Sequence, residues 1–140
     1  MRRILYFLTI GLLILFAVSC KQTTNSKWIP DPDAVLNIYF FHLTERCDAC
    51  TAIETNTETV LKEHFNDQIE NGTIKYYSFN IDKKENKTVT EKYQISYTSL
   101  LLVRSDGTIT DFTNTSINYA NLNPLKFRKM LIPERKKMLL

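Results

Sequence analysis

Between residues 35 and 132 the apolar positions fall in blocks whose spacing alternates between strand-like and helical. Val35 to Phe41 (Val-Leu-Asn-Ile-Tyr-Phe-Phe) is nearly continuous in aliphatic and aromatic side chains, as a central strand covered on both faces requires. His42 to Arg46 then reads as a loop. From Cys47 onward Ala49, Ile53, Val60, Leu61, His64 and Phe65 recur at helical spacing, with Glu45, Asp48 and Glu54 near the start. A helix of roughly four to five turns is predicted, with His64 at the edge of the core.

Asn71-Gly72 signals a turn, and Ile74 to Ile81 reads as a second strand. Strand, long helix and strand in this order predict a right-handed parallel crossover. Asp82 to Gln94 is polar but carries Val89 and Tyr93 four apart, which suits a short surface helix. Leu100 to Val103 is a third buried strand, Ser105-Asp106-Gly107 a hairpin turn, and Thr108 to Thr113 its alternating partner. Asn123 and Pro124 look like an N-cap and first helical residue, opening a last helix with Leu125, Met130 and Leu131 inside. Arg135-Lys136-Lys137 makes a basic end, expected as a solvated helix terminus, and residues 133–140 are assigned as a basic tail.

The first residues have a different pattern. Met1, Arg2 and Arg3 form a cationic tip, and Ile4 to Val18 is an almost unbroken apolar run, short of the roughly 20 residues that span a bilayer. Residues 1–19 are therefore expected to be a cleaved export signal. Ala17-Val18-Ser19-Cys20 resembles the lipobox of bacterial lipoproteins, although Ala17 stands where Leu is commoner. That resemblance implies that Cys20 is the first mature residue and carries the lipid, placing the chain in a bacterial envelope, anchored to membrane lipid and facing the periplasm. Acylation by more than one chain makes such attachment stable. Residues 20–34, from Lys21-Gln22-Thr23-Thr24 to the Trp28-Ile29-Pro30 stretch, read as a polar tether on which Trp28 could dock against the domain. The Asn71-Gly72-Thr73 and Asn86-Lys87-Thr88 sequons carry no meaning in a bacterial setting.

Composition narrows the chemistry. The chain is 44% hydrophobic and 24% charged, which suits one compact domain and excludes disordered and collagenous classes. Loss of Arg2 and Arg3 with the leader takes the formal charge of +3 to about +1, too little for charge-driven nucleic-acid binding. Three glycines cannot build a phosphate-binding loop, and two histidines do not supply a zinc hydrolase, so no cofactor is expected.

One constellation has a specific meaning: Cys47-Asp48-Ala49-Cys50. Cysteines three apart on the first turn of a helix share a face and can bridge, and the sulfur at the helix start sits among unpaired N–H groups that stabilise thiolate. Cys47 is then the nucleophile and Cys50, a turn deeper, the resolving thiol. Arg46 favours thiolate, whereas Glu45 and Asp48 oppose it.

The order strand, loop, Cys-x-x-Cys at a helix start, strand, short helix, hairpin and last helix resembles the thioredoxin fold over residues 35–132, an α/β architecture with a central mixed sheet flanked by helices. Asn80-Ile81-Asp82, Glu91-Lys92-Tyr93-Gln94-Ile95, Leu100-Leu101-Leu102-Val103 and Asp106-Gly107 fall in the sequence the family requires. Three positions depart from it. Arg46 stands at the family's Trp before the first cysteine, Phe41 at its buried acid, and Ser99 at its cis-proline. His42 could replace the acid only by turning inward. Without the proline, general oxidase or isomerase activity is in doubt and access of metal or metalloid to the cysteines rises.

The lipoprotein signal together with Phe-His ending the first strand, Arg-Cys-x-x-Cys, the following Ala-Ile-Glu and Ser99-Leu100 is also similar to the ArsF family of bacterial thioredoxin-like proteins, associated by name with arsenical and nitrophenyl handling. The likeness implies a dedicated redox partner of another envelope system.

Three functions follow from the residues. The first is a membrane-tethered thiol-disulfide oxidoreductase exchanging electrons with a protein dithiol or disulfide, such as a membrane thiol reductase. The second is a dithiol module that holds a soft ion such as Cu(I) or trivalent arsenic on Cys47 and Cys50. The third is an interaction lipoprotein with a permanent disulfide, although so short a loop restricts the unfolded chain little. His42 is most simply a polar residue finishing its strand.

Overall fold

The computed structural model describes residues 33–139. The expected leader, Cys20 and the tether up to Pro32 lie outside the described residues.

Four strands form one sheet in the order β2-β1-β3-β4, with β1 at Leu36–His42, β2 at Ile74–Asn80, β3 at Ser99–Arg104 and β4 at Ile109–Asp111. β1 and β2 are parallel, with Leu36 opposite Ile74 and His42 opposite Asn80. β1 pairs antiparallel with β3, which places Phe41 opposite Ser99, and β3 pairs antiparallel with β4. The helices are α1 (Asp48–His64), α2 (Asn66–Glu70), α3 (Lys87–Lys92, preceded by a 3-10 turn at Lys84–Asn86), α4 (Thr113–Tyr119) and α5 (Pro124–Met138). This is the expected thioredoxin-like α/β arrangement, with α1 connecting the parallel pair.

β1 is almost continuously apolar, with Asn37 as its buried polar member, because it is central and covered twice. Leu36, Ile38 and Phe40 join Ile53 and Val60 of α1 with Phe127 and Leu131 of α5 in one core. Tyr39 and Phe41 point the other way and pack with Phe79, Leu101, Val103 and Val89 of α3. Each fully buried side chain of this size contributes roughly 1.5–3 kcal/mol by leaving water.

Three expectations are corrected. The partner strand is shorter than Thr108 to Thr113, because Thr113 opens α4. Its N–H donates to Asp111 Oδ1 at 2.8 Å, and its buried Oγ1 accepts the Leu100 N–H at 3.1 Å, so a side chain replaces the ladder at that point. Helix α5 turns Phe127 and Leu131 inward, both fully buried, and leaves Leu125 70% exposed and Met130 at the surface. Residues 127 and 131 are one turn apart and follow a single stripe against α1, which Leu125 and Met130 do not share. The helix runs to Met138 with Pro133 inside it, so Arg135-Lys136-Lys137 fall in its last turns, as the expected helical terminus. His64 is exposed beside Glu63 rather than at the core edge, since Val60, Leu61 and Phe65 already fill the inner face.

Candidate functional site

Beyond His42 the chain crosses from the end of β1 to α1 in a short loop that β2 holds in place. The Thr44 N–H donates to Asp82 Oδ2 at 2.7 Å, and Asn80 Nδ2 donates to Thr44 Oγ1 at 3.1 Å. Accepting the Thr44 N–H keeps the Asp82 carboxyl below the usual carboxylate range. The same parallel register that sets Asn80 beside His42 therefore also fixes the loop that delivers the cysteines.

Cys47 is the N-cap of α1. Its backbone is extended (φ −85°, ψ 162°), its carbonyl accepts the Thr51 N–H at 3.0 Å, and its Sγ accepts the Cys50 N–H at 3.2 Å. An oxygen of Ser, Thr, Asp or Asn usually fills this role. Sulfur here occupies the position where helix N–H groups and the macrodipole favour negative charge. Cys47 and Cys50 form a disulfide with Cα atoms 5.1 Å apart. The two differ in access: Cys47 is exposed, whereas Cys50 is 4% exposed.

Cys50 Sγ lies 3.3 Å from the buried Thr98 Oγ1. With the sulfur in a disulfide, the hydrogen between them belongs to Thr98, which donates. In the dithiol form the same hydroxyl can accept the thiol proton or donate to a thiolate.

The neighbouring Ser99 is the position that the sequence points to. That residue is buried at the start of β3, its peptide bond is trans, and its Oγ donates to the Tyr97 carbonyl at 3.0 Å. Adjacent residues of an extended segment project to opposite sides, so Thr98 reaches the sulfur and Ser99 does not line the groove. No signal in the sequence separates these two hydroxyls.

Arg46 is engaged by Glu54. Nη1 and Nη2 both donate to Glu54 Oε2, at 2.8 and 2.5 Å, and the guanidinium lies 5.6 Å from the centre of the Phe40 ring. Ser78 Oγ of β2 donates to Glu54 Oε1 at 3.0 Å. His42 stacks on Phe40 with ring centres 5.6 Å apart, and its Nδ1 is 2.9 Å from the Leu43 carbonyl. It thus shares the Phe40 side of β1, does not line the groove, and does not replace the missing acid at Phe41, which is sealed in the opposite core.

A groove of about 270 Å³ lies beside the cysteine pair. Leu43, Ala49, Ile53, Tyr97 and Ile117 give it an apolar lining, and Glu45 is its acidic member. Tyr97 is 56% exposed, and Leu43 and Ile117 are also at the surface. These apolar groups come from three separate parts of the chain, so their convergence is not legible in any local pattern.

A thioredoxin-like α/β fold with a Cys-x-x-Cys disulfide at the start of its long helix is the class that fold and site define. No protein-family model and no curated protein matches the chain. A solved structure described as that of a malarial protein matches with a TM-score of 0.41 and 16% identity, over 63% of this chain and 98% of that one.

Proposed function

We infer that the chain is a thiol-disulfide oxidoreductase or electron carrier, tethered to membrane lipid through Cys20 in a bacterial cell envelope, that exchanges disulfides with a protein partner. The observation that carries this reading is the asymmetry of the pair: an exposed Cys47 whose sulfur caps the helix and a buried Cys50 one turn in. In the reducing direction, the Cys47 thiolate attacks one sulfur of a partner disulfide, forming a mixed disulfide and releasing a partner thiolate. Cys50 then attacks the Cys47 sulfur, closes the Cys47–Cys50 bond and expels the second partner thiolate. Its proton passes to a departing thiolate, so two electrons leave the protein and the partner is reduced. A dithiol partner drives the same steps in reverse.

The apolar groove suits a partner segment that brings its sulfur against Cys47, and a membrane thiol reductase or its substrate is the class of partner proposed. The likeness to the ArsF family supports a dedicated partner over a broad set. Capture of a soft ion would have two sulfurs to work with, for among the described residues no group of three or more His, Cys, Asp and Glu side chains is placed to hold a metal.

Equilibration with glutathione tests the redox role. A reduction potential between about −270 and −120 mV is expected, as for thioredoxin-like carriers, and a value far below about −300 mV would mark a permanent structural bridge. The tether is tested separately; among the described residues no helix is long and apolar enough to cross a membrane. Mass spectrometry of the mature protein should find an acylated Cys20 at the N-terminus. An unmodified terminus, or a retained Met1, overturns the anchor.

A further inference from the structure

The cation next to the attacking sulfur is restrained by an acid on the same helix, which is in turn restrained by the neighbouring strand. Arg46 precedes Cys47 directly, and an arginine at that position is long enough to bring its guanidinium to a Cys47 thiolate. Instead, both terminal nitrogens lie on one oxygen of Glu54, while Ser78 of β2 donates to the other. Stacking over Phe40 adds a second restraint on the same side. The pair is about three-quarters shielded from solvent on each side, so it is less screened than a fully exposed ion pair. Glu45 in the groove and Asp48 in the first helical turn oppose a thiolate, and Glu58, one turn beyond Glu54, interacts with both Arg46 and Glu54. Arg46, adjacent to Cys47 in the chain, is the cation that can offset them.

We propose that Glu54 is a positioning residue for the redox pair: by holding Arg46 it keeps that cation from the Cys47 sulfur, and so biases the dithiol towards donating electrons. The inference rests on the redox reading of Cys47 and Cys50, and concerns which way the pair leans. A guanidinium freed to approach the thiolate stabilises the reduced form, which makes the disulfide a stronger oxidant.

The experiment uses purified full-length protein and two measurements, the Cys47 thiolate titration followed by ultraviolet absorbance and the dithiol-disulfide equilibrium with glutathione. In Glu54→Gln the Cys47 pKa should fall by roughly half to one unit, and the glutathione equilibrium should move roughly threefold to tenfold towards the dithiol. Ser78→Ala, which loosens Glu54 without removing its charge, should move both in the same direction by less.

The decisive comparison is made in the Arg46→Met background, where Glu54→Gln should have little further effect. An equal shift in both backgrounds would mean that Glu54 acts through its own charge, and overturns the proposal. So does an unchanged equilibrium in Glu54→Gln, which would leave an ordinary surface ion pair. Neither measurement needs a partner protein, so failure to capture one in cells, which would count against the functional reading, is distinguishable from failure here.

Discussion

In the Cys50→Ser protein a partner stays joined to Cys47 through a mixed disulfide, visible on non-reducing electrophoresis and lost on reduction, whereas Cys47→Ser traps little. The expectation follows from access and charge. Cys47 is exposed, and the Cys50 N–H points at its sulfur, an arrangement that survives the serine replacement because the donor is backbone. Cys50 is buried, with its sulfur against the Cys47 sulfur and the Thr98 hydroxyl. Removing the resolving thiol therefore arrests the exchange after its first step. Thr98→Val extends the argument: it removes the one hydroxyl bonded to Cys50 while keeping the shape, so first attack should continue and resolution should slow by roughly tenfold. Equal trapping by both single cysteine variants, or by neither under conditions that cycle the wild type, contradicts the assignment of Cys47 as attacking thiol.

Phe127→Ala should destabilise the fold by about 3–5 kcal/mol, and Leu125→Ala by no more than about 0.5 kcal/mol, although the two residues lie two apart on one helix. Phe127 is fully buried in the core that Leu36, Ile38 and Phe40 form with α1, and its ring lies 6.0 Å from that of Phe112. Truncation leaves a cavity in the layer that seats α5 against α1. Leu125 meets solvent. Urea unfolding measures both, and the Phe127 variant should show a lower midpoint with an unchanged slope. Comparable losses in the two variants would mean that α5 presents a different face to the core.

The difference between these residues shows where local pattern stops being informative. Leu125, Phe127, Met130 and Leu131 are all apolar and lie within two turns, so the expected inward face rested on helical spacing among near-equivalent candidates. The phase is set by what the helix meets. Asn56 of α1 donates to the Ala120 carbonyl and accepts from Arg128 Nε at 2.7 Å, which ties the two helices at one rotation. With Arg128 turned to α1, Phe127 and Leu131 fall on the core side. Helix α4 is not legible in the sequence for a related reason, since Thr-Asn-Thr-Ser-Ile-Asn-Tyr carries no apolar stripe and gains its place through Thr113 and Ser116, buried and bonded to backbone.

Local spacing by itself determined the strand, helix and strand order, the central position of β1 and the Cys47–Cys50 pair at a helix start, because each is encoded within a few residues of continuous chain. A seven-residue stretch with a single polar member has to be covered on both faces, and two thiols three apart at the first turn can meet. Tertiary structure alone decided the surroundings of the pair. Thr98 reaches Cys50 across 48 residues of sequence, Ser78 reaches Glu54 across 24, and Leu43, Tyr97 and Ile117 come from different elements to rim one groove. These contacts depend on strand register and helix phase, and a shift of one residue in either would turn the same side chains away from the sulfur.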